Sequence, residues 1–367
     1  MKKLILLCSL IMSQSLAALI SDVTIFEKNT GTKRQLVVVC GDRHHLGSWS
    51  DNTTQFLSFA QIATRTKRKS LFLIENLSSP NAHFDRPQDR IILQAKENYV
   101  LNNLMANFGK QDTPEITSIL HFFGCTKNFY AKLGSFLKLP PATATTLHAL
   151  PMINIDNRHR EVYYGESLIG WQFEPYSSPE VRTIQQQESQ SLTLFDLLAP
   201  QATLKEYMNK SSSWLRSIFE EILQRQENHK KTLFLNLKVL LGIDELTAAS
   251  KPLATLAGNR QQELYRFLQK SSLQHIFADM IEANALWHIT RGEADVAIVL
   301  AGTNHTGHTE GNFINQRPGL VKYLGWLGYN EIDSMRTTND EVRRDTQAVA
   351  RRVRDEVPKM IENRIRN

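Results

Sequence analysis

Three short runs in this chain are apolar at every position: Leu36-Val37-Val38-Val39, Leu71-Phe72-Leu73-Ile74 and Val296-Ala297-Ile298-Val299-Leu300. A strand with one face in water alternates polar and apolar residues. A strand apolar on both faces must be covered on both, as the central strands of a parallel sheet are by helices. Between the first two runs, Phe56, Phe59, Ala60 and Ala63 recur with the spacing of one helical face, so strand, helix and strand form a βαβ unit. Upstream, Val23-Thr24-Ile25-Phe26 is joined to the first run by the turn-rich Lys28-Asn29-Thr30-Gly31-Thr32, which predicts an opening hairpin. Its second strand is read as ending at Gly41.

Farther along, Leu139-Pro140-Pro141 breaks a mostly helical stretch, and Met152-Ile153-Asn154-Ile155 reads as another short strand. Residues 203–243 and 259–290 carry long helical patterns interrupted near Gly242 and Pro252. A helix follows over 319–327, and Glu331-Ile332 starts a last strand. In the Arg-dense tail, Val342, Val349, Val353, Val357 and Ile361 track one helical stripe, which suits a helix packed by one edge or one lying on a membrane surface. The expected fold class is α/β: a mainly parallel central sheet flanked by helices, with a helical insert lobe. The expected organisation is a single domain over 18–337, with helical insertions at about 80–150 and 165–290, and a basic C-terminal helix over 338–367.

The first residues read differently. Met1-Lys2-Lys3 is basic, residues 4–12 are almost wholly apolar, and Ser15-Leu16-Ala17 offers the small-x-small pattern of a signal-peptide cleavage site. An uncleaved anchor would need roughly 20 apolar residues, and Ser13, Gln14 and Ser15 interrupt this run early. The chain is therefore expected to be exported, periplasmic or secreted, without stable membrane insertion after cleavage. Cys8 falls in this leader. Cys40 and Cys125 could form one disulfide in an oxidising compartment, although Cys40 at the end of a Val-rich strand reads as a small core hydrophobe. A formal net charge of +6, with Lys2 and Lys3 in the leader, is too mild to point to nucleic acid.

Each core run leads into potential chemistry. The first enters Gly41-Asp42-Arg43-His44-His45, the second Glu75-Asn76, and the third Gly302-Thr303-Asn304-His305-Thr306-Gly307-His308. Ligands of open α/β sheets bind beyond the carboxyl ends of the strands, so parallel neighbours would bring two histidine loops and a carboxylate to one edge. Neutral imidazoles with a carboxylate can hold a divalent metal, here Mn, Co or Zn, which makes hydroxide from water near neutral pH. Alternatively, one histidine acts on water directly as a general base, with Glu75 fixing its tautomer. Gly41 and Gly302 are expected to let the chain turn sharply at the strand ends. Arg158, after the Ile153 to Ile155 run, could grip a substrate carboxylate or phosphate, orient Glu75, or simply pair on the surface. His83, His121, His148, His229, His275 and His288 have no such setting and are read as structural.

These residues resemble the superfamily that joins TraB and Tiki proteins, erythromycin esterases and ChaN-like haem-binding lipoproteins. Its marks are a first G-x-x-H after a strand, a Glu ending the next strand, a mid-chain Arg motif and a late second G-x-x-H. Gly41 to His44, Glu75, Arg158, and Gly302 to His305 stand at the matching places, and the Gly319 to Tyr329 segment looks like the closing helix and turn. The resemblance covers the sheet and says little about residues 80–150 or 165–270. It implies metal-dependent peptide cleavage in the Tiki-like branch, metal-free ester hydrolysis in the esterases, and haem or iron handling in the ChaN-like branch. Asp42-Arg43 stands where the esterases carry a Glu, while the His305 to His308 spacing is similar to their paired histidines. ChaN-like proteins are usually lipid-anchored, and Cys8 lies too early and lacks a lipobox. The implied activity is that of an exported hydrolase acting on a small-molecule or peptide substrate through His44, Glu75 and His305, with His308 and Arg158 in support. Haem or metal binding without catalysis, and a secreted factor on a degenerate scaffold, are the alternatives.

Overall fold

The computed structural model describes residues 18–31, 33–44, 68–75, 152–156, 190–198, 200–270, 273–308 and 318–366, with isolated positions among 59–187. The leader, Cys125, Arg158, the side chain of His44 and most of the helix expected around Phe56 to Ala63 lie outside the described residues.

Among the described residues six strands form one sheet: β1 (Ala18–Thr30), β2 (Lys33–His44), β3 (Ser70–Ile74), β4 (Met152–Asn154), β5 (Val296–Gly302) and β6 (Asn330–Met335), in the spatial order β4-β3-β5-β2-β1-β6. β2 and β5 are parallel, from Leu36 opposite Val296 to Asp42 opposite Gly302. Lys69, just before β3, bonds Asp295 and Val296 at the start of β5. Ile155, just after β4, bonds Ile74 at the end of β3. Those pairs also join like ends, so the strands are mostly parallel. β1 is antiparallel to β2 and to β6, which makes the sheet mixed.

The opening hairpin forms as its turn residues require, but β2 continues past Gly41 to His44. Its extra length is paired against Ala18, Leu19 and Ile20 of β1. A bulge between Ile20 and Asp22 inserts Ser21 into β1. β5, apolar throughout, is buried at every residue.

By contact the chain divides into two discontinuous units, one containing Met1–Phe72 and Glu293–Asn367, the other Leu73–Leu101 and Gly124–Gly292, with the division falling inside β3. The second unit contains the helices α1 (Leu194–Leu197), α2 (Pro200–Asn209), α3 (Ser213–Leu241), α4 (Glu245–Ser250), α5 (Gln261–Lys270) and α6 (Leu273–Thr290). α3 stops at Gly242, and Leu233, Phe234 and Leu237 on its last turns enter a core with Leu194, Leu253, Leu264 and Ile276. Each such side chain contributes about 1.5–3 kcal/mol by leaving water. α6 is tied to β4 through Asn284, whose amide donates to the Ile155 carbonyl at 2.8 Å and accepts from the Tyr207 hydroxyl at 3.0 Å.

The first unit contains α7 (Thr303–Thr306), α8 (Leu320–Trp326), α9 (Asn339–Arg344) and α10 (Thr346–Arg366). α10 packs on β1. Its stripe of Val349, Val353, Val357, Ile361 and Ile365 is buried, while Arg351 and Arg354 are exposed. The apolar period decides which face docks. Arg364 anchors the far end of the helix, donating to the Ile332 carbonyl at 3.0 Å and pairing with Asp333 at 3.3 Å.

Candidate functional site

The parallel register of β2 and β5 sets the geometry of the first unit's carboxyl edge. Asp42 and Gly302 are opposite one another. His44 is therefore two residues past that pair on one chain, and His305 three residues past it on the other. β5 passes directly into the single turn α7, with Gly302 as the N-cap residue and Gly307, in left-handed conformation at φ +81°, closing it. Thr303, His305 and Thr306 are buried in this turn and Asn304 is exposed. Glu75 follows β3 directly and is buried in the second unit.

Gly41 does not turn the chain, since it lies within β2, opposite Asp22 and Ala301. Its missing side chain serves a close approach instead. A Cβ there would meet His308 Nδ1 at 2.8 Å, Thr303 Cγ2 at 3.0 Å and Thr306 Oγ1 at 3.1 Å. His308 is thus pressed against bare backbone, and both its ring nitrogens are engaged. Nε2 lies 2.8 Å from the Thr24 hydroxyl on β1, and Nδ1 lies 2.9 Å from the Thr306 hydroxyl. Thr306 donates in turn to the Thr303 carbonyl at 3.1 Å. With both nitrogens held, the His308 ring joins α7 to β1 and has no lone pair left for a metal or a substrate proton.

Burial pushes the His308 pKa down to about 4, against the pull of Asp22 and Glu331 and with the help of Arg336 and Arg43. The ring is therefore neutral at pH 7, one nitrogen donating and the other accepting. Below the ordinary histidine pKa the unfolded chain binds a proton that the folded chain refuses until about pH 4. Stability therefore falls as pH drops through that window. In urea titrations between pH 7 and pH 4.5, His308→Gln is expected to flatten this dependence. An unchanged slope would assign the acid sensitivity to other groups.

Arg43, within the first histidine motif, is turned away from that chemistry. Its Nη2 pairs with Asp22 Oδ2 at 3.2 Å, its Nε donates to the Ser21 hydroxyl at 2.8 Å, and its Nη2 also donates to the Thr337 carbonyl. Asp22 accepts from the Thr337 amide at 2.8 Å, and the Thr337 hydroxyl donates to the Ser21 carbonyl at 2.6 Å. Arg352 of α10 reaches the same hydroxyl at 2.9 Å. Asp22 is 1% and Arg43 6% exposed, so this is a buried clamp between the hairpin and the segment leaving β6. Inserting Ser21 through the bulge brings two successive polar side chains of β1 into it. The sequence signal for the clamp is Ser21-Asp22 between the apolar Leu19-Ile20 and Val23 of β1.

Cys40 is a free, fully buried thiol whose pKa burial drives far above the ordinary range, which makes it a core residue without thiolate character. Among the described residues, no three His, Cys, Asp or Glu side chains gather closely enough to hold a metal ion. His308 is engaged on both sides, and His305, buried in α7, stands at the same edge together with the buried Asp42. No protein-family model, no curated protein and no solved structure matches this chain.

Proposed function

We propose that the chain is an exported hydrolase of the TraB/Tiki and erythromycin esterase-like superfamily, cleaving a peptide or ester bond with activated water at the carboxyl edge of its sheet. In this reading α1–α6 belong to a helical insert lobe. The observation that carries the reading is the parallel pairing of β2 with β5, which brings the two G-x-x-H segments out at one strand edge. A buried His305 on a one-turn helix is a preorganised base: the imidazole takes the proton of water as oxygen attacks the carbonyl, then returns it to the leaving group. His44 shares this edge. Glu75 and Arg158 enter from the sequence resemblance, as does a divalent metal on His44, Glu75 and His305 as an alternative means of activating water.

The test is an initial-rate screen of ester and peptide substrates, each with and without chelator. His44→Ala and His305→Ala are each expected to lower kcat/KM by about 10²–10⁴-fold, the usual contribution of a general base. Chelator-sensitive turnover would assign the activation to metal, and chelator-resistant turnover to the imidazole. Unaltered turnover in both variants would overturn the reading.

A further inference from the structure

The first paired residue of β1 is the residue that would follow leader cleavage. Ser15-Leu16-Ala17 sets the cut between Ala17 and Ala18, and β1 begins at Ala18. Ala18 lies opposite His44, Leu19 opposite Arg43 and Ile20 opposite Asp42. β1 thus starts beside the carboxyl end of β2, where the parallel register also brings Gly302 and α7 with His305, all within the first unit. The start is held in place. Ile20 is fully buried, and the two residues after it, Ser21 and Asp22, are fixed to Arg43 and Thr337. Facing residues of an antiparallel pair have Cα atoms about 4.5–5.5 Å apart, and a backbone nitrogen is about 1.5 Å from its own Cα. The Ala18 nitrogen is therefore within about 7 Å of the His44 Cα.

We propose that leader removal makes this nitrogen a working group of the site: the α-ammonium of Ala18 binds an anionic oxygen of the substrate beside His44, and the uncut chain is latent. The proposal rests on the reading of the chain as an exported hydrolase. Hydrolysis of the Ala17–Ala18 amide by a signal peptidase consumes one water and leaves a carboxylate on Ala17 and an ammonium on Ala18. A free α-amino group is mostly protonated at pH 7. The amide it replaces is neutral and carries the leader from the same atom. Each retained residue spans up to about 3.3–3.6 Å, so Ser15-Leu16-Ala17 alone can reach about 10 Å across the strand ends. Arg43, the cation within the first histidine motif, pairs with Asp22 in the clamp rather than facing this edge. The new terminus supplies positive charge there. A carbonyl under attack by water develops an oxyanion, and a substrate carboxylate is an anion from the start. A fixed ammonium stabilises either one.

The test starts with the intact mass of the chain exported under its own leader, which should correspond to a start at Ala18. A start at any other residue overturns the proposal. Chains made to begin at Ser15, Ala17, Ala18 and Leu19 are then compared, since a start at Ala18 alone sets the ammonium opposite His44. The Ala18 form should exceed the others in kcat/KM by about 10–150-fold, the usual contribution of one charge-assisted hydrogen bond, with melting temperatures unchanged. Acetylating the Ala18 amine removes its charge and should cost as much, whereas reductive dimethylation keeps the charge and should cost little. A rise in KM confined to carboxylate-bearing substrates assigns the bound oxygen to the substrate, and a fall in kcat on neutral esters as well assigns it to the oxyanion. Equal turnover by all forms overturns the proposal. Should no form turn over any substrate, the hydrolase reading fails and magnetic resonance of the isotope-labelled dimethyl form decides the placement. Its methyl signal should show Overhauser contacts to the α-hydrogen of His44 and shift saturably with added acetate. Absence of either result overturns the proposal.

Discussion

Asp22→Ala is expected to destabilise the chain by about 3–5 kcal/mol, the usual consequence of leaving a buried charge without its partner. The Arg43 guanidinium, 6% exposed, would keep its contacts to Ser21 and the Thr337 carbonyl but lose its carboxylate, and the Thr337 amide would lose its acceptor. Asp22→Asn retains an acceptor for the Thr337 amide but removes the charge, so it should cost less than alanine. The double change Asp22→Ala/Arg43→Met should recover part of the loss, because an apolar pair of similar volume avoids desolvating two ions. Chemical denaturation of the three variants checks the order. A loss for Asp22→Ala no greater than that of a surface ion pair would show that the clamp contributes little.

The second large effect is expected from Gly319→Ala. At φ −87° and ψ 179° the Gly319 backbone suits any residue, so conformation is no obstacle. Space is. A Cβ on Gly319 would overlap the Gly307 backbone and lie 2.8 Å from the Thr306 carbonyl carbon, while a Cβ on Gly307 would lie 2.9 Å from the Gly319 Cα. Two main chains are in direct contact, and neither has a flexible end that can yield. Overpacking commonly costs 1–3 kcal/mol where side chains can adjust. Here the backbone itself must shift, so a loss above about 3 kcal/mol is expected, and α7 with His305 would move with it. Gly325→Ala is the control, since a Cβ there meets nothing within 4 Å and alanine should gain about 0.5–1 kcal/mol on a helix. Equal stability of the Gly319 and Gly325 variants in a thermal melt would contradict the close crossing.

Much of the fold was legible because the signals were local. β3 and β5 were announced by runs apolar on both faces, the opening hairpin by its turn residues, the end of α3 by Gly242, and α10 by a valine stripe that is buried as its period implies. β6 was visible only as Glu331-Ile332, since an edge strand paired on one side shows no full apolar pattern. The end of β2 lies beyond its mark in the sequence for a different reason. Gly41, Asp42 and Arg43 look like a loop in sequence, yet each is paired across the strand with β1.

The candidate site divides along the same line. The sequence by itself determined that His44 and His305 follow apolar core runs, because an apolar run and the polar cluster behind it are properties of neighbouring residues. Only the tertiary structure decided what the other motif residues do. Arg43 pairs with Asp22, and His308 is held between Thr24 and Thr306 against bare Gly41. The Arg43 contacts to β1 join residues more than twenty positions apart, and the Thr24–His308 contact joins residues more than two hundred apart. A side chain's partner across such a separation is set by strand register, a one-residue bulge and the absence of a Cβ, and local pattern encodes none of these.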